Sequence, residues 1–237
     1  MEFQITKKAK NVAFGLMGFG TLLTIIGVAL TASDHHFLTR LLASGLISGF
    51  FFFALGLGAL FFLSLKYATE TGWYAAVKRV IEAVAGFLPV GMIVLGAVLL
   101  IITLADGAHI YSWMDPEVQA HDEMVQHKAA YLNPIFFWIR TLIYFTTYYL
   151  FWKGFRNRSL EEDKVGGTEI HLKNYKRGAH FLIFFAVFSS TSAWDWIMSI
   201  DVHWFSTLFG WYTFAGMWCS TMVVLVLTTL YLKKLGH

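Results

Sequence analysis

The chain has 237 residues, of which 57% are hydrophobic, 18% aromatic and only 14% charged, with a formal net charge of +3. A soluble domain needs about twice that charged fraction to cover its surface, so a soluble enzyme, a disordered chain and a disulfide scaffold are all excluded. The composition implies a polytopic membrane protein of the all-α class. The one cysteine, Cys219, lies in an apolar run. There is therefore no disulfide framework, no CxxC redox pair, no CxxCH haem attachment and no cysteine cluster for iron and sulfur.

The N-terminal segment Met1–Asn11 is polar and carries Lys7, Lys8 and Lys10. The apolar stretch that follows is too long for a signal-peptide core and is read as a retained first span. About 20 mostly apolar residues cross a bilayer as a helix. Six segments meet that length, over about residues 12–32, 41–65, 83–105, 135–152, 179–200 and 208–232. Their apolar runs are continuous rather than alternating, which favours helices over barrel strands. Gly45 and Gly49 in the second span suit close helix packing, and Pro89 is expected to kink the third helix.

Basic residues set the orientation. Lys7, Lys8 and Lys10, then Lys66, Lys78 and Arg79, then Lys153, Arg156, Arg158, Lys164, Lys173, Lys176 and Arg177, and finally Lys233 and Lys234 fall on one side. The other side has only Arg40 and Lys128, and Arg140 lies inside a span. The positive-inside rule places both termini in the cytoplasm. The outer segment from Asp106 to Asn133 is acidic, with Asp106, Asp115, Glu117, Asp122 and Glu123, and holds His109, His121 and His127. Its histidines match no strong ligand spacing, so no metal site is expected; the segment reads as a solvated or partner-contacting loop. No internal repeat and no soluble domain is evident.

An ionisable residue in a bilayer core is costly and marks a functional candidate. Arg140 lies about one and a half turns inside the fourth span, and Asp195 the same distance before the outer end of the fifth, each roughly 8 Å deep. Consecutive spans are usually neighbours, so the two side chains are predicted to meet, directly or through water. Tyr144 and Tyr148 continue from Arg140 at four-residue steps, with Thr141 beside them. Thr191, Ser192 and Ser199 flank Asp195, and Ser189 and Ser190 extend the polarity inward. Asp201 and His203 follow at the outer interface among Trp194, Trp196, Trp204 and Trp211, which read as an interfacial belt. His180, near the inner end of the fifth span, is either a proton relay or an edge residue. Two readings of the buried pair stay open: a structural lock between two helices, or a site of proton or quinone chemistry, with any quinone near Asp195 and His203. No histidine lies deep in a span, which disfavours a bis-histidine haem.

The segment from Thr191 to Tyr212, with Trp194-Asp195-Trp196, Met198-Ser199, Asp201 and Trp204-Phe205-Ser206-Thr207, resembles a stretch of the quinone-binding-type membrane subunits of alternative complex III. Within the NrfD/polysulfide-reductase-like superfamily the similarity is to the ActF kind. Asn133-Pro134 leading to Phe136-Phe137-Trp138-Ile139-Arg140 and the basic inner loop are similar too. The resemblance implies a bacterial quinol:electron-acceptor (cytochrome c) oxidoreductase complex with an NrfD-like four-helix bundle in the cytoplasmic membrane. It implies quinone or menaquinone as substrate, haem c and iron–sulfur clusters in partner subunits, a sister NrfD-like subunit and possible association with a terminal oxidase and lipids. No nucleic acid is implied. Such subunits have about ten spans, so this chain is expected to be the N-terminal part of a longer one, and not an enzyme by itself. The rival readings are a non-catalytic assembly scaffold of the same complex and a stand-alone transporter.

Overall fold

The computed structural model describes residues 6–34, 36–105 and 110–236, and among these there is no strand. The helices are α1 (Lys7–Thr31), α2 (Phe37–Ala68), α3 (Lys78–Ala85), α4 (Leu88–Leu104), α5 (Pro116–His121), α6 (Glu123–Lys128), α7 (Pro134–Val165), α8 (Glu169–Trp196) and α9 (Phe209–Lys234). Single 3-10 turns occupy Gly72–Ala76, Ser112–Met114 and Met198–Ile200.

Among the described residues, five stretches are long and apolar enough to cross a membrane: Lys7–Thr31, Phe37–Ala68, Lys78–Leu104, Glu169–Ile200 and Phe209–Lys234. Helix α7, which contains the predicted fourth span, is 32 residues long but is not among them. Arg140, three threonines and three tyrosines in its first half lower its apolar content. Its polarity is arranged inside out. Arg140, Thr141, Tyr144 and Tyr148 are buried, while Ile135, Ile139, Leu142, Ile143 and Leu150 are exposed.

Helix α2 is the axis of the bundle, with α4, α8 and α9 packed on it and α7 closing on α8. Association of helices in lipid depends on close van der Waals contact, and small residues provide it. A Cβ on Gly56 would lie 2.8 Å from Leu88 Cα, and one on Gly91 2.8 Å from Phe53 Cα, so the α2 and α4 backbones touch at both points. Gly45 and Gly49 face Val98 and Leu95 of α4 in ordinary contact, consistent with packing. Around this seam Phe53, Tyr148, Phe145 and Trp196 form an aromatic core. Helix α1 buries none of its residues and touches the rest mainly along α2.

The third span is interrupted near Pro89, as the sequence leads one to expect: α3 ends at Ala85 and α4 begins at Leu88, with Gly86 and Phe87 between them still in the right-handed helical region and Pro89 in the first turn of α4. Proline lacks the N–H that would continue the ladder, and its ring opposes helix in the preceding turn. Two features differ from the sequence reading. The basic segment between the fourth and fifth spans is not a loop. Helices α7 and α8 both run on past the apolar stretch, and only Gly166–Thr168 connects them. Gly166 there has φ 68° and ψ −167°, a conformation essentially restricted to glycine. Finally, Trp196 is fully buried rather than part of a surface belt, whereas Trp204 and Trp211 are exposed.

The outer segment is likewise more than a solvated loop. Tyr111, Trp113, Val125 and Leu132 are buried, and the rings of Tyr111 and Trp113 pack on Phe137 at the start of α7. Asp115 caps α5 through the Glu117 amide, and Asp122 caps α6 through those of Met124 and Val125. The carboxylates expected to be solvent-facing thus start two short helices. Asp106 and His109 lie outside the described residues.

Candidate functional site

Asn133 and Pro134 start α7. The Asn133 side chain accepts from the Phe136 amide at 2.9 Å, and Pro134 occupies the first helical position, where no N–H is needed. This start places Arg140 on the inward face of α7. Asp195 sits in the last turn of α8. A carboxylate there faces the negative end of the helix dipole and is completely buried, so it needs a cation. Arg140 supplies a two-pronged contact: Nε donates to Oδ2 at 2.8 Å and Nη2 to Oδ1 at 2.9 Å. Tyr144, one turn further along α7, donates its O–H to Oδ2 at 2.9 Å.

The remaining arginine donor, Nη1, bonds to the Tyr131 carbonyl at 2.9 Å. The guanidinium lies 3.8 Å from the centre of the Tyr131 ring and 4.4 Å from that of Phe136, a cation–π setting on both rings. Each Arg140 nitrogen therefore has an acceptor. The end of α8 is closed in the same manner. Ser199 Oγ donates to the Asp195 carbonyl at 2.6 Å and Tyr111 O–H to the Trp196 carbonyl at 2.8 Å, satisfying carbonyls that a helix terminus leaves unpaired. Burial, and then the Asp195 charge, pushes the Tyr111 phenol well above its ordinary range. Trp196 Nε1 donates to Thr141 Oγ1 at 3.0 Å.

Inward from this centre, Tyr148 is buried with its hydroxyl unpartnered. Ser192 Oγ bonds the Ser189 carbonyl at 3.3 Å. A cavity of about 20 Å³ lies at Ser192, between Ser189 and Thr213 on its polar side and Phe50, Phe53, Leu57 and Met217 on its apolar side, enough room for about one water. The other candidate residues do not contact the Asp195 carboxylate. Thr191 turns back onto the Val187 carbonyl, and Asp201 accepts the amides of His203 and Trp204. His203 Nε2 lies 2.7 Å from Asp122 Oδ2, tying the sixth-span approach to the outer cap. His180 is exposed on α8, its Nδ1 2.6 Å from the Lys176 carbonyl. Thr191 keeps to the Asp195 face one turn earlier and lies beside Tyr144 rather than the carboxylate, whereas Asp201 and His203 follow the end of α8 and His180 stands about four turns away. His121, similarly, contacts the Glu117 carbonyl of its own helix.

A second buried carboxylate was not legible as such. Glu82 on α3 is buried, receives Arg79 Nη1 at 2.7 Å and Arg156 Nη1 at 3.2 Å, and accepts the Ser159 hydroxyl. Arg79 also pairs with Asp163, and Lys78 Nζ with Glu162 at 2.6 Å. These contacts join α3 to the extended end of α7. Glu82 falls one residue before the expected third span, in what reads as a solvated basic loop. The available signal is that Arg79 and Glu82 stand three apart, which suits a helical ion pair.

No protein-family model matches this chain, and no curated protein matches it. What the chain is therefore rests on its own residues: a multi-pass helical membrane protein, by the length and apolarity of its helices, with a buried Arg140–Asp195–Tyr144 centre near one end of the bundle.

Proposed function

We propose that the chain is a membrane subunit of a bacterial quinol-oxidising respiratory complex of the alternative complex III kind, supporting quinol oxidation or proton transfer around Asp195. The observation that carries this reading is a fully buried carboxylate held by Arg140 and Tyr144 in a bundle whose outward faces are apolar. In this reading α7 is a sixth span, since Ile135, Ile139, Leu142, Ile143 and Leu150 face outward while Arg140, Thr141, Tyr144 and Tyr148 are buried. The excess of Lys and Arg at one end of the bundle supports cytoplasmic termini. Haem c and iron–sulfur clusters belong to partner subunits, and quinone binds near the Asp195 end.

The chemistry follows from the charges. Arg140 favours the ionised carboxylate, while burial favours the neutral acid. In this reading Asp195 accepts a proton when the arginine fork opens, and Tyr144, which donates to Oδ2, takes that proton up as it releases its own hydroxyl proton inward toward Ser192 and Tyr148. That each Arg140 nitrogen already has a protein acceptor favours a second reading, a lock between α7 and α8 in a subunit that scaffolds its complex.

One pair of variants separates them in the assembled complex. Asp195→Asn and the apolar double variant Arg140→Met/Asp195→Leu both remove the titrating carboxylate. The proton reading expects both to lose quinol oxidation or proton release. If the apolar pair assembles and retains both activities, only the lock remains.

A further inference from the structure

Helices α7 and α8 part at the Lys/Arg-rich end of the bundle and leave a cleft of about 470 Å³, lined by Thr147, Leu150, Phe151, Gly154, Arg158, Arg177 and Phe184. Its two ends differ in chemistry. Leu150 and Phe184 are exposed and continue the outward apolar face of the spans. Arg158 and Arg177 close the other end. Gly154 gives the Arg158 guanidinium its place: a Cβ there would stand 3.1 Å from Nη1 and 3.2 Å from Nη2, so the group lies flat over the glycine. Asn174 Oδ1 accepts from Arg158 Nε at 2.6 Å and fixes the fork. Among the described residues the two Nη groups have no hydrogen-bond acceptor, and neither Arg158 nor Arg177 forms an ion pair, Glu161 included.

Two arginines at one cleft with no carboxylate paired to either repel each other, and the arrangement is stabilised by an anion. A small soluble anion would use only the basic end. The apolar wall calls for an amphiphile whose phosphate meets the guanidinium groups while its chains lie along Phe151, Leu150 and Phe184. We propose that this cleft binds the phosphate headgroup of an anionic phospholipid. The site rests on α7 and α8 lying in a membrane and is independent of any redox role.

The test uses the full chain in mild detergent and native mass spectrometry, with phosphatidylglycerol, phosphatidylcholine and inorganic phosphate as probes. A basic residue at a membrane surface contributes a factor of about five in affinity for an anionic lipid. The chain is expected to retain phosphatidylglycerol in preference to phosphatidylcholine. Arg177→Gln, at an exposed residue with no internal partner, should reduce that preference about fivefold, and Arg158→Gln/Arg177→Gln about thirtyfold. Lys233→Gln/Lys234→Gln removes the same charge elsewhere and should leave it unchanged. Equal retention of the two lipids overturns the proposal. So does an equal loss in the Lys233/Lys234 control, or displacement of phosphatidylglycerol by millimolar inorganic phosphate, which would mark a small-anion site. If the double variant fails to fold, the Arg177→Gln result decides.

Discussion

Arg140 and Asp195, 55 residues apart in the chain, meet through two parallel hydrogen bonds of 2.8 and 2.9 Å inside the bundle. Both are held on the protein side of their helices, where neither lipid nor water can replace the partner. Removing one member strands a buried charge, whereas removing both does not. Asp195→Asn is therefore expected to destabilise the chain by about 3 kcal/mol, and Arg140→Met/Asp195→Leu to return within about 1 kcal/mol of the native protein. Reversible unfolding in detergent micelles measures both. Equal losses for the single and double variants would show that the charges are not coupled.

Tyr144 and Tyr148 are one turn apart but in opposite states. The first donates to a carboxylate, and the second has a buried hydroxyl without a partner. Tyr144→Phe should cost about 2 kcal/mol, as expected for a hydrogen bond to a charged group. Tyr148→Phe should be neutral or stabilising by about 1 kcal/mol, because it removes an unsatisfied polar atom. If Tyr148 carries protons, its Phe variant would be stable yet impaired in quinol oxidation, a split that packing alone does not produce.

Gly56 and Gly91 set how closely α2 and α4 approach. Alanine at either puts a methyl group 2.8 Å from a facing Cα, so the backbones must separate. Each substitution is expected to cost about 1–3 kcal/mol. The double variant should fall short of the sum, because both act on one seam. Gly15→Ala, where nothing lies within 4 Å, is the control and should leave unfolding unchanged.

The outer cap should respond to acid. Hydrogen bonding to His203 holds the Asp122 carboxyl below its ordinary value of 3.8, helped by the amides of Val125 and Met124 and opposed by desolvation. A depressed carboxyl pKa contributes stability that is complete above the ordinary value and is lost as pH falls through the lowered one. Amide exchange at Met124 and Val125, corrected for the intrinsic pH dependence, should therefore show less protection at about pH 3 than at about pH 5. In Asp122→Asn that difference should disappear. Persistence of the difference would assign the acid response to another group.

What the amino-acid sequence determined by itself is the solvent and the site. Its long apolar runs leave a bilayer as the medium, and in that medium Arg140 and Asp195 stand out because a charge there demands a partner. Helical periodicity and equal depth then suffice to pair them. Tertiary packing decided the rest. Whether Trp196 faces lipid or core, whether Thr191 and Asp201 reach Asp195, and how the outer acidic segment folds depend on helix rotation and on contacts between distant residues. Local periodicity carries no information on these. Glu82 shows the limit most clearly: beside basic residues at the edge of a span nothing marks it as buried, and it becomes so only when α3 packs on α2 and Arg156 and Ser159 of α7 meet its carboxylate. The α7–α8 cleft arises in the same way, since a glycine and two arginines acquire a common surface only when two helices diverge.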